Sequence, residues 1–220
     1  MPVKSEREYR NMKVEVREVQ NPDGDEKIVT GYASTFDQPY MLFSGEGWEY
    51  WEVVDRTAFD ETDMSDVIMQ YDHRGRVFAR TKNKTLEVKP DDEGLFIEAN
   101  LGGTEIGRQL FEEIRGGYTD KMSFGFSVRG ESEDKEKDEN GIVKYTRRIT
   151  DIGKLFDVSA VSIPANDTTQ ISATERSLAE ARDGVISRIE AERLQEEKRK
   201  NDRRRTEVRA KALSIGGNEK

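Results

Sequence analysis

Apolar and polar positions alternate in short runs along residues 13–163, the period of half-buried strands, and give way to helical spacing at 104–115 and again beyond 178. Val14, Val16 and Val19 mark a strand over 13–19. Asn21-Pro22-Asp23-Gly24-Asp25 reads as a turn, and a second strand follows at 28–36, antiparallel to the first, with Gly31 as a bulge. Residues 40–54 crowd aromatics with glycine and end in a short strand at 52–54. Val67-Ile68-Met69-Gln70-Tyr71 is a compact apolar strand running straight into Asp72-His73. Strands at 85–88 and 95–101 flank Lys89-Pro90-Asp91-Asp92-Glu93-Gly94, a hairpin marked by its proline and glycine. Thr104 can cap a helix whose stripe is Ile106, Leu110, Phe111 and Ile114, and Gly116-Gly117 ends it. Over 121–129, Met122, Phe124, Phe126 and Val128 point one way and Ser123, Gly125 and Ser127 the other. The acidic tract 131–140 reads as a mobile hairpin loop. Strands at 143–150 and 155–163 follow, the last closed by Pro164-Ala165.

Many short strands with one or two helices predict an α+β fold: a mainly antiparallel, β-barrel-like domain with one or a few packed helices. From Leu178 the apolar positions Leu178, Ala181, Val185 and Ile189 keep helical spacing for about three turns, and thereafter almost nothing is apolar. The expected organisation is a flexible N-terminus at 1–12, a domain at 13–172 and a charged helical arm at 173–220. Such an arm cannot bury a face alone, so it is solvated, docks on a partner or is cut away. No internal repeat is visible.

Composition sharpens this division. Of 220 residues, 34% are hydrophobic and 37% charged, against about 45–50% and about 25% in ordinary globular chains. The apolar deficit is concentrated after Thr174. Net charge is -9, from 45 acidic and 36 basic residues, and no basic patch interleaved with aromatics marks the domain, so nucleic acid is not an expected partner. The cluster Lys198-Arg199-Lys200 with Arg203-Arg204-Arg205 is offset by Glu196, Glu197 and Asp202 and reads as a solvated helix face. Cysteine is absent, which excludes disulfides, zinc–thiolate sites and cysteine nucleophiles. With one histidine, a multi-imidazole metal site is excluded as well. No apolar run approaches the ~20 residues of a membrane span, and the opening residues lack the apolar stretch of a signal peptide. A soluble, intracellular protein with no cofactor and no membrane contact is expected.

Three residues could do chemistry together. His73 ends an apolar strand between Asp72 and Arg74, a position that holds a side chain rigidly. Ser123 sits between large apolar neighbours with Gly125 two residues on, leaving open space on its face; Ser127 shares that face and is its rival, and a plain polar position is the simpler reading of either. Asp157 interrupts the apolar strand Leu155-Phe156-Asp157-Val158-Ser159-Ala160-Val161, which asks for a buried partner unless it faces solvent. A serine hydroxyl is a weak nucleophile until an imidazole takes its proton, and the imidazole needs a carboxylate to fix its tautomer. Periodicity does not say whether the three meet.

Several segments resemble the tailed-bacteriophage prohead (capsid-maturation) serine protease family, itself similar in fold to herpesvirus maturation proteases. In order they are Gly31-Tyr32-Ala33-Ser34-Thr35-Phe36; Val53-Val54-Asp55-Arg56-Thr57-Ala58-Phe59; Asp72-His73; Arg80-Thr81-Lys82-Asn83-Lys84-Thr85-Leu86; Gly94-Leu95-Phe96; the helix at 104–117; Met122-Ser123-Phe124-Gly125-Phe126; and Leu155-Phe156-Asp157-Val158-Ser159 with Pro164-Ala165. The resemblance implies Ser123 as nucleophile, His73 as general base and Asp157 as third member. It implies a backbone N–H in the oxyanion hole, with Arg147 or Arg148 as helper unless these are ordinary surface charges. The chain departs from the family's usual pattern in carrying Asp157 where Glu is frequent, Arg74 where an acidic residue is common after the histidine, and Ala79 where glycine is frequent. A shorter Asp must approach the imidazole more closely.

The same resemblance implies an endopeptidase packaged in the immature phage capsid within the host cytoplasm. It would cut the scaffolding segment from the major capsid protein and cut itself; self-association into a homo-oligomer is left open. Two other readings compete: a non-enzymatic scaffold or assembly module of the same fold, and a β-domain using the aromatics of 40–51 as a ligand surface.

Overall fold

A computed structural model of the chain describes residues 8–12, 17–20, 27–161 and 175–215, with side chains over 27–161 and 183–210. In chain order the strands are β1 (Glu8–Met12), β2 (Arg17–Gln20), β3 (Lys27–Thr35), β4 (Tyr40–Gly45), β5 (Trp48–Val54), β6 (Ile68–Tyr71) and β7 (Arg74–Arg80). There follow β8 (Leu86–Pro90), β9 (Gly94–Asn100), helix α1 (Glu105–Arg115), β10 (Lys121–Lys137), β11 (Val143–Val161) and helix α2 (Glu175–Ile215). The turn expected at 21–25, the strand start at 13–16 and the closure at Pro164-Ala165 lie outside the described residues. The chain divides into two compact units, 1–171 and 172–220.

The strands form two sheets. One runs β1-β10-β11-β5-β4, with β6 attached to β11 and β7 to β6; the other runs β2-β3-β9-β8. Pairing is antiparallel except where β11 meets β5 and β6, which it joins in parallel. The fold is therefore α+β and mainly antiparallel, but the barrel-like closure expected from the many short strands is not found. Among the described residues the ladders end at β1 and β4 in one sheet and at β2 and β8 in the other.

A single buried apolar cluster joins the sheets and α1. It draws Val29 and Ala33 from β3, Leu95 and Ile97 from β9, Leu110 and Phe111 from α1, and Met122, Phe124 and Phe126 from β10. Phe124 and Phe126 stack at 4.6 Å and Phe124 meets Phe59 at 6.2 Å. Burial of each such side chain contributes about 1.5–3 kcal/mol. Helix α1 begins where Thr104 accepts the Gly107 N–H at 3.0 Å, a cap that satisfies one orphan donor, and its stripe faces this core as the spacing predicts.

Three departures from the periodicity have physical causes. Residues 8–12, expected to be loose, form β1 against residues 122–126 of β10, a ladder that depends on partner backbone and not on their own polarity. The acidic tract expected as a mobile loop instead prolongs β10 to Lys137, with Glu133 opposite Arg147 and Glu136 opposite Lys144; opposite charges across a ladder favour the strand. The true turn is at 138–142, where Asp138 accepts the Ile142 N–H at 2.7 Å. The bulge in β3 falls between Tyr32 and Ser34, not at Gly31. There the Ser34 carbonyl presses on Gly94 so closely that a β-carbon at 94 would overlap it. The aromatics of 40–51 form the β4–β5 hairpin, with Phe43 stacked on Tyr50 at 5.0 Å and Trp48 and Tyr50 buried. That packing leaves the reading of these aromatics as an open ligand surface without support.

In the second unit, Ile189 of α2 is fully buried, whereas Leu194 and Val208 further along lie exposed among charged neighbours. No helix among the described residues is long and apolar enough to cross a membrane.

Replacing Gly94 by Ala is expected to lower unfolding free energy by about 1–3 kcal/mol through backbone overlap, read as a shifted urea midpoint with an unchanged slope.

Candidate active site

The site is assembled on β10 and β11. In their antiparallel register Ser123 stands opposite Ser159 and Gly125 opposite Asp157. Directly opposed residues share a face, as do residues two apart on one strand, so these four form one block. Gly125 contributes no side chain to this block. Ser123, Asp157 and Ser159 are all fully buried, which answers the question left open for Asp157: it does not face solvent. The open space expected beside Ser123 is therefore not solvent-exposed surface.

His73 reaches this block from the β6–β7 hairpin. Tyr71 pairs with Arg74, so the loop is the two residues Asp72 and His73, with φ of 47° and 55°. Positive φ at both central positions is the pattern of a type I′ turn, whose twist matches the flanking strands. Asp and His tolerate the left-handed region better than most side chains. The Asp72 N–H donates to the Ala160 carbonyl at 3.0 Å, tying the turn to β11 one residue beyond Ser159. At its base the hairpin is latched by Arg80, whose guanidinium donates twice to Asp66 at 2.7 Å. Those bonds, with Lys82, hold the Asp66 carboxyl well below the usual carboxylate range. Two residues after the turn, Gly75 takes φ of 72°, a value that favours glycine.

The hairpin brings the three predicted residues together. The Ser123 hydroxyl lies 2.5 Å from His73 Nε2, and His73 Nδ1 is in hydrogen-bond contact with Asp157 Oδ1. The Nδ1–H donates to the carboxylate, which leaves Nε2 as acceptor for the serine hydroxyl. The His73 side chain is 8% exposed and Asp157 is not exposed at all. Sequence reasoning missed a fourth contact: Ser159 Oγ donates to Asp157 Oδ1 at 3.1 Å and lies 3.2 Å from His73 Nδ1. Its spacing of two from Asp157 on one strand was the available signal.

The remaining candidates lie elsewhere. Ser127, the rival nucleophile, sets its hydroxyl against Gly153, where an added methyl would come within 3.3 Å. Arg147 is held by Glu52 and Glu131, and Arg148 by Asp55 and Asp37, so both guanidiniums are engaged by carboxylates. Among the described residues no group of three or more His, Cys, Asp or Glu side chains could hold a metal ion.

An α+β domain that aligns a serine hydroxyl, an imidazole and a carboxylate in one hydrogen-bonded chain has the geometry of serine hydrolases. The sequence profile of the family described as caudovirus prohead serine protease matches residues 12–183, and the chain belongs to that family. The match spans β2 to β11 and with them all of the residues just described. No protein of curated function and no solved structure matches the chain.

The turn makes a separable prediction. Asp72→Asn should leave stability within about 0.5 kcal/mol of the parent, whereas Asp72→Ile, a branched side chain in the left-handed region, should cost about 1–2 kcal/mol by urea unfolding.

Proposed function

We propose that the chain is the endopeptidase that removes the scaffolding segment of the major capsid protein, and cleaves itself, inside the immature phage capsid. The observation that carries this reading is the hydrogen-bonded chain Ser123–His73–Asp157 in a member of a prohead serine protease family. Ser123 Oγ attacks the scissile carbonyl while His73 Nε2 takes its proton; the same proton then passes to the departing amine, and water repeats the cycle on the acyl-enzyme. Asp157 holds the imidazole in the tautomer with Nδ1 protonated and stabilises the cation that forms.

Ser123 is fully buried beside His73. Confinement with capsid protein raises the local concentration of substrate, so weak binding suffices. The charged arm at 173–220 suits docking on scaffold or removal by self-cleavage, since Leu194 and Val208 stay exposed along its charged stretch.

The test is co-expression with the capsid protein encoded beside this chain, read by intact mass. Wild type should trim both proteins, and Ser123→Ala should leave both full length. Asp157→Asn should keep the fold and slow cleavage on the order of 10³–10⁴-fold. Trimming that persists in Ser123→Ala would make the serine structural and favour a non-enzymatic assembly module.

A further inference from the structure

We infer that Ser159 is a positioning residue of this site, a fourth member that holds the Asp157 carboxylate and the His73 imidazole in register; the inference rests on the proposed role of Ser123. Three independent features place it there. The β10–β11 ladder sets Ser159 directly opposite Ser123. Its Oγ lies within hydrogen-bond distance of both Asp157 Oδ1, at 3.1 Å, and His73 Nδ1, at 3.2 Å. It is fully buried, and the next residue's carbonyl receives the Asp72 N–H of the turn that carries His73.

A hydroxyl in this position has one proton and two lone pairs. The proton goes to Asp157 Oδ1, the same oxygen that accepts from His73. A lone pair then faces the Nδ1–H, so that this hydrogen is shared between carboxylate and hydroxyl. The carboxylate is thereby stopped from rotating about its own axis, and the ring plane is defined by two acceptors in place of one. Proton transfer from Ser123 depends on where Nε2 points, so an error in ring orientation lowers reactivity without touching the nucleophile itself. An apolar side chain of the same size would fill the space and lose both bonds. The buried carboxylate would then lose a donor in a region where water does not replace it.

The presence of a single histidine makes this directly observable. In full-length protein labelled with ¹⁵N-histidine, one Nδ1–H signal reports the shared hydrogen. Recording it in the Ser123→Ala background prevents self-cleavage from altering the sample. Adding Ser159→Ala to that background should shift or exchange-broaden the signal. In parallel, Ser159→Ala alone, assayed well below its own melting midpoint, which the lost hydrogen bonds should lower, should react with a fluorophosphonate probe about tenfold more slowly than wild type. Ser159→Cys, which keeps the volume and a weak donor, should change both readings in the same direction and substitutes for the alanine variant if that fails to fold. Unchanged signal and unchanged labelling would overturn the inference. Slower labelling with an unchanged Nδ1–H signal would also overturn it, since the effect would then not pass through His73. If Ser123→Ala is labelled as fast as wild type, the proposed nucleophile fails instead, and the two failures are told apart.

Discussion

Strand β10 runs antiparallel to β11 from Lys121 opposite Val161 to Lys137 opposite Val143, and the rest of its sheet is built on this ladder. On one side β10 takes β1; on the other, β11 takes β5 along its first half and β6 along its second. The register slips between Gly125 and Phe126 and again around Ser127 to Glu131; on one side of these slips Met122 to Val128 lie buried, and on the other Glu131 to Lys137 are exposed. Because side chains alternate with a period of two, a slip of one residue at the core end would turn Ser123 away from Ser159 and Asp157 away from Gly125. The phenylalanines of β10 oppose such a slip: Phe124 and Phe126 are fully buried, and exposing them would cost several kcal/mol. Hydrophobic packing on one face thus fixes the polar arrangement on the other.

That polar arrangement is itself costly to form. A carboxylate with no exposed surface loses its hydration, and protein donors must replace it. His73 and Ser159 do so at Asp157 Oδ1. A buried polar network of this kind rewards one geometry and penalises its neighbours, which suits a site that must hold an imidazole between a carboxylate and a hydroxyl. The strain of the supporting turn is of the same character. Two successive non-glycine residues with positive φ persist because Tyr71–Arg74 pairing, the Ala160 carbonyl and the Arg80–Asp66 latch together over-determine the hairpin.

Much of the fold was legible along the chain because its strands bury one face in the core. Residues 28–36, 67–71, 85–88 and 95–101 and the capped helix at 104–115 all correspond to elements whose apolar positions enter one cluster. The acidic tract 131–137 and the segment 8–12 were not legible as strands, since each is ordered by a partner distant in sequence and not by its own periodicity. The absence of a closed barrel was equally invisible, because closure depends on which edges meet.

Composition narrowed the candidates: with one histidine and no cysteine, imidazole-assisted chemistry within this chain has only His73 to use, while the resemblance to prohead proteases names Ser123 and Asp157 as its partners. Their meeting was decided by tertiary structure alone. His73 lies 50 residues from Ser123 and 84 from Asp157, and only the parallel docking of β6 on β11 carries its turn over the serine. That Ser123 and not Ser127 lies beside His73, with Ser159 next to both His73 and Asp157, follows from cross-strand register, a relation between two strands that no pattern within either one contains.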